Sequence, residues 1–294
     1  MVQIEIMLYI HSFGSVEQVL GNLFNLQGNL CQVDARQISS HESLDRIDPF
    51  GFDDVLFYSF LNLHEYRFLD TFRHELERVH FIVDYVKRKK FRKLIILTAP
   101  GAFDHSDNLY LQHKGLIEQK FQSSGIPCLF LRVQAVTHAF RRIHNLHHLF
   151  YERAEGRYLI PQKNDLTIYS IQLDNLHDIV EKAMRDDSYG YYDAFDSISK
   201  LPDFLKEHAA HIPITRIAPL YLYFKSYLGN YLSPSILELF LRPVVPMYSY
   251  RTAKAFGVKL QQEETTEEET LQLDNPRIHL SPVFQPGGWK WSKI

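Results

Sequence analysis

Cysteine is scarce: Cys31 and Cys128 are the only two in 294 residues. Two thiols cannot build a disulfide framework, so the chain must fold on a hydrophobic core, and it suits a reducing compartment. Net charge is scarce too. Thirty-two Lys and Arg stand against 35 Asp and Glu, a formal balance of −3. A general nucleic-acid binder carries a basic excess, so no nucleic-acid partner is expected. No run approaches the roughly 18 consecutive apolar residues of a membrane-spanning helix; the uncharged stretch 18–33 is interrupted by Gln, Asn and Gly. The apolar run 4–10 has no basic segment before it, so a signal peptide is not expected. The first arginine is Arg36, whereas Glu5 and Glu17 come early, which is unlike a transit peptide. What remains is 45% hydrophobic and 23% charged, the composition of an ordinary globular chain. Its length suits two domains, or one large α/β domain with an appendage. Aromatic and imidazole groups are in excess, with 17 Tyr, 21 Phe and 15 His.

The apolar run 4–10 has strand length, and residues 11–15 read as a turn. Val16, Val19, Leu20 and Leu23 then recur at helical spacing, and a second strand over 30–33 ends at Asp34-Ala35-Arg36. This strand–turn–helix–strand order opens many nucleotide-binding α/β folds. Strands are expected over 55–60, 94–97 and 128–133, with helices over 72–90 and 109–123 between them. Such alternation predicts a Rossmann-like, doubly wound parallel sheet with right-handed crossovers. The basic cluster Lys87–Lys90 suits the C-terminus of its helix, with an anionic surface as the alternative reading. Further on, an extended piece over 166–171, a helix over 173–185 and a strand over 189–195 are expected. Helices over 201–211, 219–228 and 233–241 follow, making a small, mostly helical C-terminal lobe. The run 263–269 reads as a solvated helix start, and the tail from Asn275 as extended and held by docking. The division is 1–160 for the core, 161–260 for its remainder and the lobe, and 261–294 for the tail.

Tyr110 and Lys114 lie at i and i+4 of the 109–123 helix and share a face. An ammonium beside a phenol lowers its pKa, which suits proton transfer to a carbonyl or alcohol. The pair follows a strand ending in Thr98. With the stretches 53–57, 91–98 and 125–132, this order resembles the short-chain dehydrogenase/reductase (SDR) superfamily, in its extended or atypical branch. The resemblance covers about residues 4–260. It implies catalytic roles for Tyr110, Lys114 and Thr98, and an NADP(H) site. The residues it implies there are Ser12, Phe13, Gly14, Ser15, Val16, Arg36, Ser59, Phe60, Thr98, Tyr110, Lys114 and Arg132. The family's glycine-rich turn is degraded. Only Gly14 survives, Ser12 stands at the first glycine position and Glu17 at the third. Glu17 would repel a pyrophosphate if it pointed inward. Arg36 suits a 2′-phosphate, while neighbouring Asp34 suits a ribose diol.

Within the superfamily, residues 110–118, 212–220, 231–238 and 256–268 are similar to the SDR-type accessory subunit of mitochondrial respiratory complex I. That family binds NADPH without turning it over and packs on the matrix arm near the membrane. The resemblance implies partner subunits, a peripheral membrane contact and a matrix-side location at the inner membrane, with the cytoplasm as the alternative. An active NADP-dependent reductase or nucleotide-sugar epimerase using Thr98, Tyr110 and Lys114 is the competing reading. A third, RNA-associated reading is disfavoured by the charge. His138, His144, His147 and His148 form a group in which His144 and His148 would share a helix face. A polar interface explains them better than a metal site, and no metal is expected. The aromatic stretch 219–228 reads as packing of the C-terminal lobe, or as a protein or membrane contact.

Overall fold

The computed structural model describes residues 7–12, 15–25, 30–47, 55–60, 69–138, 143–144, 146, 150–152, 154–162, 166–227, 280–285 and 288–293. The expected alternation is present. Strand β1 (Met7–His11) leads to helix α1 (Ser15–Asn25), β2 (Leu30–Asp34), α2 (His41–Ile47) and β3 (Val55–Ser59). Then come α3 (Leu69–Lys89), β4 (Lys93–Thr98), α4 (Leu109–Gln122) and β5 (Cys128–Arg132). Later segments supply α5 (Leu173–Arg185) and β11 (Gly190–Asp193).

Six of these strands form one parallel sheet in the order β2–β1–β3–β4–β5–β11. The chain leaves β1 toward one edge, then returns across it to β3, so the direction of winding reverses between β1 and β3. In open α/β sheets, ligands bind outside the strand ends at this reversal. Both faces are covered, which is why β1, β3, β4 and β5 are buried along their whole length. Alternate side chains divide between two cores. Leu8, Ile10, Leu56 and Leu94 pack under α2, α3 and α4, while Met7, Tyr9, Phe57 and Ile95 pack under α1 and α5.

Two local features fix the helices over the sheet. α3 ends in a Schellman motif: Phe91 N–H bonds Val86 O at 3.1 Å, Lys90 N–H bonds Lys87 O at 3.3 Å, and Lys90 takes the left-handed φ of 57°. Lys87, Arg88 and Lys89 therefore lie on the last turn, where positive charge suits the dipole, and Arg88 reaches Asp45 on α2 at 3.2 Å. α4 starts at Asn108, whose side chain accepts from Leu111 N–H at 3.1 Å.

Residues 134–227 add two small sheets that the hydropathy pattern did not reveal. One is β12 (Ser197–Lys200), β10 (Thr167–Gln172), β6 (Ala135–His138) and β7 (Ile143–His144); the other is β13 (Ile214–Ile217), β9 (Arg157–Pro161) and β8 (Tyr151–Glu152). His144 thus sits in a strand paired with Thr137 rather than on a helix, and His147 and His148 lie outside the described residues. Helices α6 (Leu201–His208) and α7 (Pro219–Tyr227) are where the sequence puts them. The expected helix over 233–241 and the run 263–269 lie outside the described residues. In the tail, β14 (Leu280–Gln285) and β15 (Gly288–Lys293) form an antiparallel hairpin, with β14 beside β11. Among the described residues, no helix is long and apolar enough to cross a membrane.

Candidate nucleotide-binding and catalytic site

At the reversal point, β1 ends in His11 and Ser12, and Ser12 N–H ties it to β3 through Ser59 O at 3.0 Å. Glu17, in the first turn of α1, folds back into this corner. Its Oε2 accepts from Ser12 Oγ at 2.5 Å and its Oε1 from Ser59 Oγ at 3.0 Å. Ser12, Ser59 and Glu17 are at most 1% exposed. The carboxylate therefore points inward, the orientation that opposes a pyrophosphate. Val16 packs into the core under α1, Ser15 opens the helix, and Phe13 and Gly14 lie outside the described residues.

Beside this corner lies an open cleft of about 420 Å³, lined by His11, Gln18, Asn22, Gln32, Asp34 and Gln37. His11 Nδ1 lies 2.8 Å from Ser12 O and its Nε2 lies 2.8 Å from Gln32 Nε2. These partners assign a neutral ring that donates from Nδ1 and accepts at Nε2. Burial, opposed by the bond to Ser12, lowers its pKa accordingly. Arg36 does not reach into the cleft as a free cation: its Nε and Nη2 hold Asp34 Oδ2 at 3.0 and 2.6 Å. Partial burial would raise the Asp34 pKa, but the Arg36 guanidinium and N–H hold it below the usual value.

Tyr110, His113 and Lys114 share the face of α4 that packs on α3. Lys114 Nζ lies 3.1 Å from Glu75 Oε1 and 3.3 Å from Phe60 O, and it sits over the rings of Phe60 and Tyr110 at 5.3 and 5.7 Å. Glu75 is fully buried and accepts two further bonds, from Tyr58 Oη at 3.0 Å and His113 Nε2 at 2.7 Å. Burial lowers the Lys114 pKa and Glu75 opposes that shift. Tyr110 is 5% exposed. Its phenol is pushed up, by burial first and by Glu75 second, so the neighbouring ammonium does not activate it.

Thr98 and Arg132 end β4 and β5. Arg132 grips Glu118 of α4 with Nε at 3.2 Å and Nη2 at 2.8 Å, and its Nη2 also donates to Ala102 O at 3.0 Å. Its guanidinium lies over the rings of Tyr191 and Phe103 at 4.5 and 5.1 Å. Burial raises the Glu118 pKa against the pull of Arg132. Thr98 Oγ1 is buried with no hydrogen-bond partner among the described residues, although it faces Glu118 closely enough to favour that carboxylate's charge.

Tyr110, Lys114 and Phe60 are thus brought together with Glu75, while Thr98 and Arg132 gather with Glu118. Sequence reasoning missed Glu75, His113 and Glu118. Glu118 had a usable signal, because Tyr110, Lys114 and Glu118 recur at spacing four on one helix face. Glu75 had none, being 39 residues from Lys114. His177, Asp178 and Glu181 on α5 come within metal-binding reach of one another, but Glu181 pairs with Arg185 and Asp178 is exposed.

A nicotinamide dinucleotide places its pyrophosphate at the first strand–helix turn, against the helix N-terminus. Among the described residues of that corner, Ser12, Glu17 and Ser59 do not fit a phosphate, because the buried Glu17 carboxylate holds both hydroxyls.

No protein-family model matches the chain, and no curated protein matches it. Solved structures do. A nucleoside-diphosphate-sugar epimerase from Staphylococcus aureus is 13% identical, with 87% of this chain and 97% of that one covered at a TM-score of 0.59. The Bordetella bronchiseptica enzyme WbmG, in complex with NAD and UDP, is 13% identical over 87% and 89% at 0.60. The Citrobacter sp. triphenylmethane reductase, complexed with NADP(H), is 12% identical over 86% and 96% at 0.56. At these identities the likeness concerns the fold. The chain has the Rossmann-like α/β architecture of NAD(P)-binding epimerases and reductases.

Proposed function

We propose that this chain is an SDR-type Rossmann protein that performs no proton or hydride transfer through Tyr110 and Lys114. It serves instead as a non-catalytic accessory subunit of a large assembly, of the kind found on the matrix side of mitochondrial complex I. The observation that carries the reading is the Lys114–Glu75 pair. A tyrosine acid/base needs a pKa drawn toward the working pH. Here the ammonium is bound to a buried carboxylate, and burial with Glu75 raises the phenol instead. The exposed Leu220, Tyr221 and Phe224 on α7 give the reading a candidate contact face. The degraded glycine turn adds further support.

The second reading is an active NADP-dependent reductase or nucleotide-sugar epimerase using Thr98, Tyr110 and Lys114. Similar solved structures that are epimerases and reductases favour it. Purification of the tagged full-length chain in mild detergent, followed by native gel electrophoresis, separates the two. The subunit reading expects co-migration with a large membrane assembly. A stable free monomer or dimer that turns over a carbonyl or sugar-nucleotide substrate supports the enzyme.

A further inference from the structure

The geometry points to Glu17 as the resident anion of the corner between β1 and β3. The chain supplies its own carboxylate where this fold holds a ligand's phosphates, and a phosphate-bearing ligand binds there only once that side chain, bulk and charge together, is removed. The first turn of a helix attracts negative charge, through its unpaired N–H groups and its dipole. In a dinucleotide-binding fold that charge belongs to the ligand. Here it belongs to the third residue of α1.

An ordinary acidic residue at this helix position reaches back to a backbone N–H at the helix start. Glu17 reaches further, to hydroxyls at the ends of two different strands. Ser12 Oγ engages one carboxylate oxygen at 2.5 Å and Ser59 Oγ the other at 3.0 Å. The donors are fixed in turn, because Ser12 N–H is bonded to Ser59 O at 3.0 Å. Three elements that converge at the reversal point thus meet on one carboxylate, sealed from water at 1% exposure. A phosphate entering this corner would meet both the volume and the charge of Glu17, and the hydroxyl donors would already be engaged.

This inference does not rest on the role given to Tyr110 and Lys114. That reading is judged by turnover and by the native gel, and this one by binding.

Isothermal titration of the full-length protein with inorganic pyrophosphate, and separately with NADP, tests it. Wild type and Glu17→Gln, which keeps the bulk, should show no saturable binding of either probe. Glu17→Gly vacates the corner and should bind both, at least about tenfold more tightly than wild type, since both the bulk of the side chain and its like charge at close range are gone. Glu17→Ser, which keeps a hydroxyl for Ser12 or Ser59, repeats the test if the glycine variant does not fold. Binding of either probe to wild type as tightly as to the vacated variant overturns the inference. So does stoichiometric NADP(H) released from the denatured wild-type protein, or a folded vacated variant that binds neither probe.

Discussion

Removing the carboxylate of Glu75 should be among the most damaging single changes in this chain. Glu75 is 0% exposed and joins Lys114 at 3.1 Å, His113 at 2.7 Å and Tyr58 at 3.0 Å. Glu75→Ala leaves an ammonium, an imidazole and a phenol in a space closed to water. Breaking a buried pair from one side costs about 3–5 kcal/mol, and each orphaned hydrogen-bonding group about 1–3 kcal/mol before relaxation. Part of this overlaps, so about 4 kcal/mol is expected for Glu75→Ala. Lys114→Met should cost less, about 2–3 kcal/mol, because Glu75 keeps its bonds from Tyr58 and His113. The double variant Glu75→Ala/Lys114→Met removes both charges and should be more stable than the sum of the single losses predicts, by about 1–3 kcal/mol. Urea denaturation followed by circular dichroism reads all three. A Glu75→Ala loss below about 1 kcal/mol, or strict additivity in the double variant, would refute the claim that Lys114 belongs to this network rather than to a reactive site.

Other consequences are independent of that network. Arg132→Lys cannot reproduce the two-point grip on Glu118 or the guanidinium's contacts over the rings of Tyr191 and Phe103. It should cost about 2 kcal/mol in chemical denaturation, and an unchanged midpoint refutes the role of that pair. Gly115 faces the loop before α4 so closely that a Cβ would lie 2.2 Å from the Phe103 carbonyl carbon. Gly115→Ala should destabilise by at least about 2 kcal/mol despite its better helix propensity, and a stabilised variant contradicts the close approach. Burial lowers the Lys93 pKa from 10.5 to about 8 against the opposing pull of Asp186. Between those values the unfolded chain binds a proton that the folded chain does not, so this lysine's contribution to stability rises with pH across that window. The difference between wild type and Lys93→Met should therefore shift toward wild type over the same range. A flat difference removes the argument.

The main sheet was legible because β3, β4 and β5 are buried on both faces and appear as uninterrupted apolar runs. α4 and α5 were legible by length and spacing. The small sheets were not, because strands such as β7 and β8 have two residues each, too few for any period to show. The tail is expected to be extended and docked, but its hairpin depends on the pairing of β14 with β15, which hydropathy does not encode. In the site, Tyr110 and Lys114 stood out by type and spacing, and Thr98 and Arg132 by the family resemblance. Their surroundings were not, because Glu75 approaches Lys114 from a different helix. Glu17 was visible as an acidic residue in the wrong place for a phosphate, and only the fold shows its carboxylate turned inward onto Ser12 and Ser59.

The most direct test of the central claim compares NADPH consumption by the wild-type protein and by Tyr110→Phe, across a panel of ketones and nucleotide sugars. General acid–base catalysis contributes about 10²–10⁴-fold to such rates. With Lys114 held by Glu75 and the Tyr110 phenol buried, both proteins should consume NADPH no faster than buffer. A wild-type rate on any of these substrates that Tyr110→Phe lowers by about 10²-fold or more would contradict the account.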